Sequence, residues 1–225
     1  MMDFNNFQEF VRASFPEIDD SALTKFSRMQ AGYEDWNSKI NVISRKDMDG
    51  IYDHHVLHSL AIAMYLKEIR PSEYSFMQKP GNGTTVLDLG TGGGFPGIPL
   101  AVMFPEVKFT LCDSIKKKTV VAQGIADLLE LKNVEIVNAR AESLGRDFDF
   151  VVSRAVASLT DFYPWVRGCF KKSILYLKGG DINEEICTLM GREKMAKGQI
   201  GTWPVDCWLK DEYFAGKFVI DIAKR

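Results

Sequence analysis

The first 75 residues or so alternate apolar and polar positions with a helical period. In "FNNFQEFVRASF" (4–15) apolar residues recur at helical spacing, which predicts an amphipathic helix. "DDSALTKFSRMQAGYEDW" (19–36) opens on an Asp/Ser cap signal and continues as a second amphipathic helix. "IYDHHVLHSLAIAMYLKEI" (51–69) predicts a third, more buried helix, and Pro71 is expected to close the helical region. "KPGNGTT" (79–85) then marks a turn-rich break.

After the break the pattern changes. "TVLDLG", "VKFTLCD", "VEIVNA", "FDFVVSRA" and "SILYLKG" are short β-rich runs, with helical "GIPLAVMF", "KKKTVVAQGIADLLELK" and "LTDFYPWVRGCF" between them. Strand–helix alternation predicts right-handed crossovers and a parallel sheet covered on both faces. The tail "WPVDCWLKDEYFAGKFVIDIAKR" is expected to add two antiparallel strands at one sheet edge. The organisation is therefore a helical N-terminal extension, 1–78, packed on an α/β domain, 79–225. No internal repeat or low-complexity segment interrupts it.

Composition narrows the class. A chain of 225 residues fits one medium domain, or one domain with a smaller attachment, and 46% hydrophobic content supports a sizeable core. No apolar run reaches transmembrane length, and "MMDFNNFQEF" has neither a basic n-region nor an h-region. A soluble, cytoplasmic protein with no membrane partner is expected, with a monomer as the default. Cys112, Cys169, Cys187 and Cys207 form no CxxC pair and no zinc spacing, so they read as reduced, mostly buried thiols. The net charge of -2 does not advertise nucleic-acid binding. Basic residues nevertheless gather between Lys116 and Lys178: "KKK" at 116–118, Arg140, Arg146, Arg154, Arg167 and "KK" at 171–172. They form either a phosphate-binding face or a solvated surface.

The densest chemistry lies in "VLDLGTGGGFPG" (86–97). In a parallel sheet, ligands bind outside the carboxyl ends of the strands. The first strand ends in Asp88-x-Gly90-x-Gly92-x-Gly94, and Pro96 suits the first turn of a helix. Glycines there allow a sharp bend and let a ligand lie against bare peptide groups. The G-x-G-x-x-G frame of dinucleotide sites fails from Gly90, because Phe95 takes the last glycine's place. It fits from Gly92 to Gly97, displaced from the strand end. Asp88 favours a ligand with a cationic amino group over a pyrophosphate. S-adenosylmethionine has an ammonium, a sulfonium and no phosphate. The second strand ends in Asp113, 25 residues after Asp88, where an acid can accept both ribose hydroxyls of a nucleoside.

"LDLGTGGGFPGIPLA", "LCDSIKKK", "VVSRAVASL" and "YLKG" together resemble the bacterial small-subunit ribosomal RNA guanine-N7 methyltransferases, also called the glucose-inhibited division protein B family. "WNSKINVIS" (36–44) and "HHVLHSL" (54–60) resemble that family's helical signatures. The likeness runs from about Trp36 to Lys178 and continues weakly through "KFVIDIAKR". It implies a class I methyltransferase, a Rossmann-like doubly wound sheet, with residues 79–225 as the S-adenosylmethionine-binding domain. It places Gly90 and Phe95 on the methionine and ribose side of the cofactor, Asp113 and Ser114 at the ribose, and Ala141 and Glu142 near the adenine. Arg154 matches a family position near the cofactor and the entering base, which makes it the candidate catalytic residue. The family usually has Asp where this chain has His58, which leaves the role of that helix open.

Methyl transfer is an in-line displacement at a sulfonium carbon, so the enzyme mainly aligns the nucleophile and excludes water. Guanine N7 offers a lone pair in the neutral base, and the sequence shows no catalytic dyad. The expected partner is 16S ribosomal RNA or the small ribosomal subunit, presenting an unpaired or flipped guanine because the A-form major groove hides N7. Lys116, Lys117, Lys118 and Arg140 are the candidate RNA contacts. Methylation of another RNA or base atom, an NAD(P)-dependent oxidoreductase and a non-catalytic RNA-binding assembly factor remain open readings. His54, His55 and His58 form H-H-x-x-H; the i, i+4 pair has metal spacing, but no third ligand appears, so a structural or RNA-facing role is expected. Trp36 and Asn37 are expected to cap and pack the helical region, and "FYPWV" (162–166) to pack a helix on the sheet or offer an aromatic to a base.

Overall fold

The computed structural model describes residues 2–44, 47–145 and 147–224. Arg146, one of the basic residues singled out above, lies outside them.

Helices α1 (Phe4–Ser14) and α2 (Asp20–Lys39) begin on acidic caps: Asp3 accepts from the Asn6 amide, and Asp19 from the Ala22 amide at 2.7 Å. Both caps satisfy a backbone donor that the helix leaves open. The third predicted helix is two pieces. Residues Ile51–Leu57 form a π-helix that runs directly into α3 (His58–Ile69). Pro71 does not close the helical region. It occupies the first turn of a short α4 (Pro71–Met77), where its missing N–H costs nothing.

The sheet contains β1 (Thr85–Leu89), β2 (Lys108–Asp113), β3 (Val134–Asn138), β4 (Phe148–Arg154), β5 (Phe170–Gly179), β6 (Ile200–Pro204) and β7 (Lys217–Ala223). Its order is β3-β2-β1-β4-β5-β7-β6. Strands β1 to β5 are parallel, and β7 lies antiparallel between β5 and β6, so the tail forms the expected edge hairpin. Helices α5 (Gly97–Met103), α6 (Lys116–Leu128) and α7 (Leu159–Val166) make crossovers. A further helix, α8 (Asn183–Glu193), stands where the sequence pattern predicts no element; it buries only Leu189, too little for an apolar stripe to show.

Two apolar layers sandwich the sheet. On one face the side chains of α1 to α3 merge with those of α5 and α6 into one cluster, including Phe7, Phe26, Tyr33, Leu60, Ile98 and Ile125. On the other, α7 and α8 cover Leu87, Val151, Ile174 and Tyr176. The end of α3 is tied to β7: the Tyr65 hydroxyl donates to Asp221 Oδ2 at 2.6 Å, and Arg70 Nη1, just past the helix, to the same oxygen at 3.1 Å. Strands β2, β1 and β4 are consecutive and parallel in the sheet, with their carboxyl ends side by side, and the functional site forms there.

Candidate functional site

A cavity of about 870 Å³ opens over the carboxyl ends of β1, β2, β3 and β4. That volume falls within the range of small-molecule sites. The turn after β1 forms its floor. Gly90 has φ +74°, and a Cβ there would lie 2.3 Å from Val156 Cγ2. Gly92 has φ +59°, and its missing side chain would point into open space. One glycine lets the turn and the segment after β4 close together; the other leaves room over the turn.

The backbone donors of this turn are largely engaged within the protein. Gly90 and Thr91 amides donate to the Cys112 carbonyl, at 2.8 and 3.1 Å. The Gly94 and Phe95 amides both donate to the Thr91 carbonyl at 2.9 Å. The Gly92 amide donates to Asp113 Oδ2 at 3.0 Å, and the Gly97 amide to Asp88 Oδ2 at 2.8 Å. A pyrophosphate cradle needs such amides free and a helix start without an acid beneath it. The turn is therefore built for a ligand without phosphates.

Asp88 differs from its expected role. It is fully buried and does not line the cavity. Oδ2 accepts from the Thr91 hydroxyl at 2.6 Å and from the Gly97 amide, so the carboxylate pins the turn and the start of α5 against β1. Burial pushes its pKa up to about 7, against the opposing effect of those two hydrogen bonds and of Arg154. The reason is depth in the sheet: Asp88 lies inside β1, level with Leu111, and the start of α5 covers it, whereas Asp113 on the same face lies two residues further toward the strand ends. Gly94 is also absent from the lining; a Cβ there would meet Ile98 and the Tyr33 hydroxyl.

Asp113, the last residue of β2, does line the cavity. Oδ2 receives the Gly92 amide and Oδ1 the Ile115 amide at 2.8 Å, which fixes the carboxylate while leaving each oxygen a second lone pair. Ser114, Ala141 and Glu142 line the same end, with Ile115, Ala139 and Trp165. Gly90, Gly92 and Phe95 line the middle.

Arg154, the last residue of β4, lines the other end. It stands two strand spacings from Asp113, about 10 Å. Its Nη1 donates to the His54 carbonyl at 3.2 Å and its Nη2 to His55 Nδ1 at 2.9 Å, while the guanidinium carbon sits 5.1 Å from the Phe95 ring centroid. A guanidinium can only donate, so His55 Nδ1 accepts and the imidazole proton resides on Nε2. Burial, then the neighbouring Arg154 charge, hold His55 down to about 3, and the ring is neutral. Burial also lowers Arg154 from its usual value. Among the described residues no carboxylate stands within ion-pair distance of Arg154.

Three residues that sequence reasoning did not assign to a ligand complete this end: His55, Val42 and Gly93. The signal for Val42 was Asn37. Its Oδ1 accepts from the Val42 and Ile43 amides, at 2.8 and 3.0 Å, and its Nδ2 donates to the Ile43 carbonyl, which shapes the loop that carries Val42 to the cavity. Trp36 packs against Gly124 of α6, where a Cβ would lie 2.1 Å from its ring. Tyr33 stacks on Phe95 and donates to the Gly93 carbonyl at 2.9 Å. Helix α2 therefore builds one wall.

The three histidines are held apart by packing. His54 stacks on Tyr213 with centroids 3.7 Å apart and faces Asp47. His58 is buried edge-on against Tyr213 and Phe214, and burial keeps it well below its usual pKa. His58 therefore serves core packing. Among the described residues no group of three His, Cys, Asp or Glu side chains is placed to hold a metal.

The basic residues do not share one face. Lys118 and Arg140 line the cavity, and Lys116 and Lys117 are exposed beside it at the start of α6. Lys171 and Lys172 lie near the amino end of β5, opposite the cavity, and Arg167 pairs with Glu193 at 3.3 Å. Cys112 and Cys169 are buried, but Cys187 and Cys207 are exposed; all four are free thiols. No helix among the described residues is long and apolar enough to cross a membrane.

Comparison with known proteins agrees with this geometry. Residues 22–204 match the family model described as rRNA small subunit methyltransferase G. The Ribosomal RNA small subunit methyltransferase G of Flavobacterium johnsoniae is 51% identical over 219 residues, covering 94% of this chain and 95% of the relative. That of Porphyromonas gingivalis is 43% identical over 221 residues, covering 94% and 91%. Among solved structures, the magnesium protoporphyrin IX methyltransferase of Synechocystis PCC 6803, crystallised with bound SAM, superposes with a TM-score of 0.61 at 15% identity, covering 92% of this chain and 98% of that one. That likeness speaks to the fold, which is the class I methyltransferase fold. With most of its length matched by the family model and by these relatives, the chain belongs to the rRNA small subunit methyltransferase G family.

Proposed function

We propose that the protein transfers the methyl group of S-adenosylmethionine to N7 of a guanine in 16S ribosomal RNA, acting as a cytoplasmic monomer on the small subunit or a precursor of it. The observation that carries this reading is the cavity itself: an acid for a ribose at one end, a phosphate-free glycine turn in the middle and Arg154 at the other end. Residues 1–78 act as the extension that walls the site, and 79–225 as the cofactor domain.

The cofactor would supply an activated methyl group. Asp113 would accept the ribose hydroxyls, with Ser114 beside it, while Ala141, Glu142 and Ile115 flank the adenine. Gly90, Gly92 and Phe95 would border the amino-acid portion. Asp88 supports this set from beneath, by holding Thr91 and Gly97, instead of touching the ligand. The methyl would then face the β4 end of the cavity.

N7 attack requires alignment and no prior proton removal. This suits the chain, because the imidazole at the cavity, His55, has its acceptor nitrogen engaged by Arg154 and is no general base. The lysines support an RNA substrate. Lys116, Lys117 and Lys118 fill the first turn of α6, which has no acidic residue and no side-chain cap. Cations at a helix N-terminus oppose the macrodipole, and phosphates docking there would relieve that repulsion. With Arg140 they form a basic rim on the cavity.

The test is methyl transfer from labelled S-adenosylmethionine to 16S RNA and to small subunits from cells lacking the protein, with nuclease mapping. Label on one guanine as 7-methylguanine supports the reading. Tight cofactor binding without label would favour a different RNA or an assembly role.

A further inference from the structure

Arg154 is an unusual arginine. It is set into the cavity wall, yet its only polar partners among the described residues are two neutral acceptors, the His54 carbonyl and His55 Nδ1, and its charge rests on the Phe95 ring. Charges drawn into a protein are normally paired with opposite charges. This one is held in a fixed orientation by groups that do not neutralise it, and part of its donor fork is left for whatever enters the cavity it lines. The holding groups are themselves braced. The His54 carbonyl also receives the Tyr213 hydroxyl at 3.3 Å, and the His54 ring stacks on Tyr213. Both histidines belong to the π-helix Ile51–Leu57. Irregular helical turns of this kind concentrate at functional sites.

We propose that Arg154, aimed by the His54 carbonyl and by His55 as a positioning residue, selects guanine over adenine by donating to O6 of the target base. The inference rests on the RNA-methylation reading above. An arginine reading guanine ordinarily takes O6 and N7 together. Here the N7 lone pair must point at the methyl carbon, so O6, the acceptor next to it, is the atom left for the guanidinium. Adenine presents an N6 amino group at that place, and two donors would face each other. The placement fits. Arg154 and Asp113 end strands on either side of β1, so a ligand whose ribose meets Asp113 projects its other end toward Arg154. His55 suits its part because it stays a neutral acceptor throughout the working pH range, held down to about 3 by burial and by Arg154. The charge of Arg154 has a second consequence. The base enters neutral and leaves as cationic 7-methylguanine, which the guanidinium then repels.

The experiment uses the full chain and substrate RNA carrying guanine, inosine or 2-aminopurine at the methylated position. Inosine keeps O6 and N7; 2-aminopurine keeps N7 and lacks O6. Wild-type protein is expected to methylate inosine within about threefold of guanine, and 2-aminopurine about 10- to 100-fold more slowly in kcat/KM. Arg154→Gln should slow guanine methylation and collapse the guanine-to-2-aminopurine ratio toward one. His55→Ala should reduce the ratio, and His55→Asn, which restores an acceptor near the Nδ1 position, should recover most of it. Calorimetric binding of S-adenosylmethionine checks that each variant is folded. Equal wild-type rates on guanine and 2-aminopurine would overturn the inference without needing any variant. So would an unchanged ratio in a folded Arg154→Gln. Absence of label on all three RNAs would overturn the methylation reading, and this inference with it.

Discussion

Replacing Asp88 by Asn changes one buried charge and little else. In the folded protein the carboxyl titrates at about 7 instead of its ordinary 3.8, chiefly because it is fully buried. Between those two pH values the folded state holds a proton that the unfolded chain has released, so stability falls as pH rises. The stabilising contribution is complete below about pH 4 and lost above about pH 7. The gap between 3.8 and about 7 corresponds to about 4 kcal/mol, with a slope near 1.4 kcal/mol per pH unit inside the window. The substituted amide would keep an acceptor for Thr91 and Gly97 and titrate nowhere. Its NH2 would take the place of Asp88 Oδ1, which is buried without a hydrogen-bond partner among the described residues, so about 1–3 kcal/mol of the gain is offset. The variant should match or fall below wild type at pH 5 and overtake it at pH 8 by about 1–3 kcal/mol, several degrees in Tm. Urea unfolding at half-unit steps from about pH 5 to 8.5 measures the difference. A wild-type curve that rises relative to Asp88→Asn over that range would refute the reasoning. Because Asp88 does not line the cavity, calorimetry should show S-adenosylmethionine binding largely retained; its abolition would return Asp88 to direct ligand contact.

Asp113→Ala removes the acceptor of the Gly92 and Ile115 amides as well as the expected ribose contact, and should weaken S-adenosylmethionine binding by roughly 100-fold or more in calorimetry; Asp113→Asn should be intermediate. Replacing Lys116, Lys117 and Lys118 by Gln should lower RNA affinity and flatten the dependence of log K on log salt by about 0.7 for each phosphate no longer neutralised; an unaltered slope would assign them to solvent. Asn37→Ala removes three hydrogen bonds to the loop carrying Val42 and should cost about 1–3 kcal/mol in urea unfolding, together with reduced methyl transfer. Chelator treatment should leave methyl transfer intact; a loss restored by zinc would revive the histidines as ligands.

What the sequence determined by itself is whatever neighbouring residues decide. The cap at Asp19, the strand–helix alternation, the glycine turn after β1 and Asp113 at the end of β2 each follow from local pattern, and the structure contains them. What local pattern cannot carry is the direction of a side chain relative to other elements. Asp88 and Asp113 look alike in sequence, both acids at strand ends. In the parallel register Asp88 pairs with Leu111 and Asp113 lies two residues further on, so both point to the same face; the start of α5 covers the first, and the second stands past the strand ends on the cavity. Pro71 reads as a terminator and is a helix start, because a proline's effect depends on whether its N–H was needed. The Arg154–His55 contact joins residues 99 apart and exists only because the π-helix and β4 meet at one sheet end. The basic residues gather along the chain but separate in space, since parallel strands put successive loops at opposite ends of the sheet. Sequence spacing thus specified the chemistry available to the site, and tertiary packing decided which of those groups face the ligand.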